Sequence, residues 1–224
     1  MKPQTMLDYS VFFATPDCAR FYQRAQLSSS DRLRLQHAPQ RERTLSWQNS
    51  RALKAFVTQK NPEAPWCLSH KYDHAFIALG QKGAVGADLE FMQPRDFHAL
   101  MKQVCNEKEQ DFLQSSPQLM VDFYRLWTLK EALIKAEDLR FPTQMKAVGV
   151  AEFAPIWRLK SALNRHYFWL TAVFNRDWIF SALWQECVRD PVCVRFFFEN
   201  PPVFQAIYSN APLSLLGQTL TLAP

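Results

Sequence analysis

A chain of 224 residues suits one large domain or two small ones, and 48% hydrophobic residues against 21% charged ones exclude intrinsic disorder. Only five glycines are present, and the one cluster, Gly80, Gly83 and Gly86, fits neither a dinucleotide fingerprint nor a P-loop, so any phosphate must be held by side chains. The net charge of +5 is uneven: residues 20–60 carry nine Lys and Arg against Asp31 and Glu42, and the rest of the chain sums to −2. That basic stretch fits a polyanionic ligand, an acidic protein or nucleic acid, and it equally fits a solvated helix face.

The elements are read in chain order. Val11-Phe12-Phe13 suits a strand, and helical spacing then runs to residue 60, where Asn61-Pro62-Glu63-Ala64-Pro65 stops it. Three short strands are predicted over 66–70, 75–79 and 84–91. Helices follow near 96–104 and 106–114, and Ser116-Pro117 reads as the start of a long helix, with Ser116 as N-cap and Pro117 at the first helical position. Leu119, Met120, Phe123, Trp127 and Ile134 mark one side of that helix to about residue 136. Strands are expected at 148–153, 167–174, 178–184 and 192–198. Two halves, each helices first and a sheet afterwards, predict a duplicated α+β unit. The expected division is 1–85, 86–198 and a surface extension over 199–224.

Five cysteines with no CxxC spacing give neither a disulfide framework nor a zinc site. Residues 1–5, followed by Asp8, lack the apolar run of a signal peptide, and the proline-bearing tail after Glu199 is unfit to span a bilayer. The expectation is a cytoplasmic protein with no membrane partner.

Two segments could carry chemistry. In Gly86-Ala87-Asp88-Leu89-Glu90, residues two apart on a strand share a face, so Asp88 and Glu90 stand side by side while Leu89 turns inward. The pair is either a site for a hard divalent cation or two solvated acids at an exposed strand end. In Trp127-Thr128-Leu129-Lys130-Glu131-Ala132-Leu133-Ile134-Lys135, Glu131 and Lys135 share a helix face with Trp127. They form either a modest surface pair or the other half of a site.

Together these motifs resemble the signature of the 4′-phosphopantetheinyl transferases, a Val-Gly-Ile-Asp-Ile-Glu-like strand end followed by Trp-Ser/Thr-x-Lys-Glu-Ala/Ser-x-x-Lys on a helix. The length and two-halved layout resemble the surfactin-synthetase type of that family, a monomeric pseudo-dimer of two similar α+β subdomains, each with a small antiparallel sheet packed on helices. Leu68-Ser69-His70 resembles the family's Asn-x-Ser-His-Ser, with Cys67 and Lys71 in place of its Asn and final Ser. The family's preceding Gly-Lys-Pro is absent, and Glu137-Asp138-Leu139 stands where it has Gly-x-Gly. Val104-Cys105-Asn106-Glu107-Lys108-Glu109 resembles its Phe-Ser-x-x-Glu helix start, making Glu109 a supporting acid.

The resemblance implies transfer of 4′-phosphopantetheine from coenzyme A to a serine of an apo acyl or peptidyl carrier protein, giving 3′,5′-ADP. It implies Mg²⁺, or Mn²⁺, on Asp88, Glu90 and Glu131, with Glu131 as base and Lys135 on a phosphate oxygen. Arg43, Arg51, Ser69, His70 and Lys135 are the implied contacts to coenzyme A, and no nucleic acid is expected as partner. Three other readings compete: a non-catalytic module binding coenzyme A or acidic proteins through residues 20–60, a nucleic-acid binder, and a metal-dependent phosphodiesterase.

Overall fold

Strand β1 (Leu7–Ala14) buries residues on both of its faces, Tyr9, Val11 and Phe13 on one and Phe12 and Ala14 on the other. A strand apolar on both sides must be covered on both, and this requirement organises the molecule. The structure, a computed structural model, describes residues 7–185, 192–199 and 202–220. After β1 come α1 (Ser29–His37), α2 (Leu45–Lys60), β2 (Trp66–Lys71), β3 (His74–Leu79) and β4 (Val85–Phe91). Then follow α3 (Phe97–Val104), α4 (Glu107–Gln114), α5 (Leu119–Ala136), β5 (Gly149–Glu152) and β6 (Arg158–Lys160). The chain continues with β7 (Phe168–Phe174), β8 (Trp178–Trp184), β9 (Val192–Phe198), β10 (Phe204–Ser209) and β11 (Leu213–Thr219).

These strands form a five-stranded sheet in the order β11-β9-β1-β3-β2, a four-stranded sheet β10-β7-β8-β4 and the hairpin β5-β6. The two larger sheets face each other: Tyr9, Val11, Phe13, Phe76 and Ala78 of the first meet Phe168, Leu170, Phe180 and Trp184 of the second. Helix α2 covers the other side of the first sheet, setting Leu53 and Val57 on Phe12, Ala14 and Ile77. Helix α5 covers the other side of the second, setting Leu126, Leu129 and Leu133 among Trp169, Val173, Ile179 and Leu183. The order of layers is therefore helix, sheet, sheet, helix, and β7 and β8 are buried almost throughout because both their faces are covered.

The α+β class predicted from sequence is what the structure has. One feature differs from an all-antiparallel arrangement: β9 runs parallel to both β1 and β11. Parallel neighbours need a crossover, and β10, which pairs with β7 in the other sheet, supplies it between β9 and β11. The described part of the tail thus adds one strand to each sheet, whereas residues 1–5 and the end of the tail lie outside the described residues. No helix among the described residues is long and apolar enough to cross a membrane.

Helix α5 begins at Leu119, not at Pro117, and its N-cap is Gln118. Ser116 does not cap it. Its hydroxyl donates to the Asp122 carboxylate at 2.6 Å and accepts from the Gln118 N–H at 3.0 Å, which holds Pro117 and Gln118 in a turn ahead of the helix.

Candidate active site

The site lies where the free edges of the two sheets meet. β2 ends the first sheet and β4 ends the second, and they lie alongside each other. Alternation along each strand aims every second side chain at the neighbouring edge. The Ser69 hydroxyl donates to Asp88 Oδ1 at 2.9 Å and accepts from the Leu89 N–H at 3.2 Å. Two residues further on, Lys71 Nζ reaches Glu90 Oε2 at 2.6 Å.

Helix α5 brings the second half. Gly86 lets it approach: a Cβ there would stand 2.1 Å from the Ala132 carbonyl oxygen, so any side chain would push the helix off β4. Thr128, one turn earlier, bonds Ser181 of β8 through buried hydroxyls 2.7 Å apart, and Ser181 in turn meets Thr171 at 2.8 Å. With the helix fixed in this way, Lys135 Nζ lies 2.7 Å from Asp88 Oδ1, 3.0 Å from the Ala87 carbonyl and 3.2 Å from Ser69 Oγ.

Asp88 is only 5% exposed. It is therefore not a solvated acid at a strand end, as one reading of the sequence had it. Its Oδ2 is buried and has no hydrogen-bond partner. Glu131 forms no ion pair among the described residues, and burial, with Asp88 and then Glu90 nearby, pushes its carboxyl up to about 7, against the pull of Lys135. Burial also raises Glu90, opposed by its bond from Lys71. Burial disfavours the Lys135 ammonium, but Asp88, Cys67 and Glu131 together outweigh it and hold that pKa above the ordinary lysine value.

The predicted phosphate contacts are distributed unequally. Ser69 is inside the cluster. His70 points away from it, with Nδ1 3.3 Å from the Ser46 hydroxyl at the start of α2, and desolvation together with Arg51 and Lys135 lowers its pKa. Arg51 is buried, its Nε 3.0 Å from Asp31 Oδ1 and its guanidinium 4.3 Å above the Trp47 ring, so part of its charge already ties α1 to α2. Arg43 is exposed in the turn Pro39–Arg43 and shares no hydrogen bond or ion pair with the other candidates among the described residues. Sequence reasoning passed over Arg41, whose charge acts on both His70 and Arg51.

Glu109 has a different place. It is fully buried, completes the capping box of α4, and accepts from Lys130 Nζ at 2.6 Å and from the Val150 N–H at 2.9 Å. It supports the scaffold rather than the site. Beside the site, Lys71, Glu90, Arg95, Leu100, Phe123 and Trp127 border an apolar cleft of about 390 Å³.

Among the described residues no three acidic, histidine or cysteine side chains converge as a ready metal cage. The donor set nevertheless fits a hard cation: an unpartnered Asp88 oxygen, an unpaired Glu131 carboxylate and a third acid, Glu90, all offering oxygen. Acids able to hold a divalent cation, set beside an ammonium, can neutralise charge in phosphoryl transfer. Residues 84–188, which hold β4, α5 and this whole cluster apart from β2, match the sequence model of the 4′-phosphopantetheinyl transferase superfamily. Over 103 residues it is 31% identical to the 4′-phosphopantetheinyl transferase HetI of Nostoc sp., covering 41% of this chain and 44% of the relative. Over 117 residues it is 32% identical to the 4′-phosphopantetheinyl transferase AcpT of Salmonella typhimurium, covering 44% of this chain and 61% of the relative. The chain thus spans about half the length of these curated relatives.

Proposed function

We propose that the protein transfers 4′-phosphopantetheine from coenzyme A to a serine hydroxyl of an apo acyl or peptidyl carrier protein. The observation that carries this reading is the convergence of Glu131 and Lys135 of α5 on Asp88 and Ser69, at the junction of the two sheets. The serine oxygen forms a bond to the phosphorus on the pantetheine side of the pyrophosphate, the bond from that phosphorus to the bridging oxygen breaks, and 3′,5′-ADP leaves. Lys135 neutralises a pyrophosphate oxygen, and the Glu131 carboxylate accepts the serine proton, directly or through a water it orients. Asp88 and Glu131 would hold Mg²⁺ or Mn²⁺, with Glu90 the third acid beside them. When bound, that cation would neutralise charge on the pyrophosphate.

Arg41, Arg43 and Arg51 give the nucleotide end of coenzyme A its positive surroundings, with His70 beside them as a neutral hydrogen-bonding ring, and the apolar cleft beside Lys71 is of a size to take the pantetheine arm. In this reading residues 1–85 bind coenzyme A, residues 86–198 supply the acids and the catalytic helix, and 199–224 is the extension. The protein acts as a cytoplasmic monomer of the surfactin-synthetase type. Mass spectrometry after mixing the protein, Mg²⁺, coenzyme A and an apo carrier protein tests the reading. One phosphopantetheine gained on the carrier is expected. Coenzyme A breakdown with an unmodified carrier would instead mean a phosphodiesterase, and binding without turnover a non-catalytic module.

A further inference from the structure

We infer that Lys71 is the resident counter-ion of Glu90 and keeps it out of the cation-holding set, leaving Asp88 and Glu131 to hold the divalent cation. This inference rests on the proposed metal-dependent function. β2 and β4 are edges of different sheets, and their alternation sets Ser69 against Asp88 and Lys71 against Glu90. The Lys71–Glu90 pair is half-withdrawn from water, with the side chains 27% and 17% exposed and the charged atoms 2.6 Å apart. Solvent therefore screens it less than an exposed pair.

The three acids of the site differ in what already occupies them. Asp88 bonds Lys135 through Oδ1 only and keeps Oδ2 free. Glu131 has no ion-pair partner among the described residues. Glu90 has a lysine of its own. A divalent cation approaching Glu90 meets the Lys71 ammonium, whereas one approaching Asp88 Oδ2 and Glu131 meets two unsatisfied oxygens. Charge count agrees: three carboxylates against Lys71 and Lys135 leave one net negative charge, and removing Lys71 leaves two. Lys71 thereby holds the affinity of the substrate-free protein for the cation low and leaves further ligand positions to the phosphates of the substrate.

The test is a titration with Mn²⁺ alone, followed by electron paramagnetic resonance of the free ion, on the full chain and its variants. Lys71→Met keeps the length of the side chain and removes its charge, and it should tighten Mn²⁺ binding at least tenfold. Lys71→Arg should keep the wild-type affinity, which a merely structural role would not require. Glu90→Gln alone leaves Lys71 unopposed and should weaken binding, whereas combined with Lys71→Met it restores the wild-type net charge and should abolish the gain. An unchanged affinity in Lys71→Met, or a double variant that keeps the gain or binds tenfold more weakly than the wild type, overturns the inference. Asp88→Asn separates the two levels: it should lose Mn²⁺ binding, and if it retains it, the metal-dependent reading fails together with the inference. Loss in Asp88→Asn with no gain in Lys71→Met overturns the inference alone.

Discussion

Helix α5 carries two lysine–carboxylate pairs five residues apart, and they do opposite things. Lys130 and Glu109 are both fully buried, and every oxygen of Glu109 is engaged, by Lys130, the Asn106 N–H and the Val150 N–H. Lys135 and Asp88 form an equally short pair, but Lys135 is 30% exposed, Asp88 Oδ2 has no partner and Glu131 stands beside them unpaired. The first pair is closed and holds α4, α5 and β5 together. The second is left incomplete, and an incomplete set of buried charges retains binding energy for something that arrives later. The same chemistry therefore serves as scaffold or as site according to whether its hydrogen bonds are filled.

The closed pair gives the largest expected effect. Glu109→Ala leaves the Lys130 ammonium buried without a partner, and removing one member of a buried pair costs about 3–5 kcal/mol. Denaturant unfolding should show that loss, and Glu109→Leu with Lys130→Met should recover only part of it, because the Asn106 and Val150 N–H groups still lose their acceptor. If Glu109→Ala unfolds at the wild-type midpoint, the contrast between the two pairs is wrong. Gly149 belongs to the same contrast, because a Cβ there would stand 1.8 Å from Glu109 Oε1.

The open pair should respond in rate rather than in stability. If the protein transfers phosphopantetheine as proposed, Lys135→Met removes a charge on the reacting phosphates, and loss of one such group lowers turnover by about 10²–10³-fold. Its unfolding midpoint should move far less than that of Glu109→Ala, since Lys135 is partly in water. Single-turnover transfer to an apo carrier protein, run beside the unfolding curve, measures both. Gly86→Ala joins the two regions: the added methyl meets the Ala132 carbonyl, and overpacking of this kind costs about 1–3 kcal/mol. It should also slow transfer, because the displaced helix carries Glu131 and Lys135 away from Asp88. A Gly86→Ala variant that keeps full activity would show that β4 and α5 need no such close contact.

What the sequence made legible follows the range of the forces involved. Local spacing was enough for Asp88 beside Glu90 on a strand and for Glu131 beside Lys135 on a helix, and the resemblance joined the two. The burial of Asp88 was not legible, because it depends on β2, a strand of the other sheet, closing over β4 through Ser69. What Glu109 supports was not legible, because its partners lie 21 residues onward at Lys130 and 41 onward at Val150. The start of α5 was misplaced because Ser116 makes a side-chain bond to Asp122 that competes with capping. Gly86 did carry a signal, since a glycine inside an apolar strand marks a close backbone approach.

The basic stretch gives the smallest effects and sharpens the comparison at its outer edge. Arg51 resembles the closed pair, being buried against Asp31 and stacked on Trp47, whereas Arg43 is exposed and has no ion pair among the described residues. If both reach coenzyme A, Arg43→Gln should raise the KM for coenzyme A with the unfolding midpoint unchanged. An exposed charge contributes about 0.2–1 kcal/mol, which is at most about fivefold in KM. Arg51→Gln should raise KM and also lower stability, because it removes a buried partner of Asp31 and the stack on Trp47, a loss limited by Lys54, which stays on Asp31. Steady-state kinetics at two ionic strengths distinguish these contacts from general attraction, since a screened surface field weakens for every arginine alike. Equal, salt-dependent responses in Arg41→Gln, Arg43→Gln and Arg32→Gln would assign the stretch to encounter with an acidic partner rather than to a nucleotide pocket.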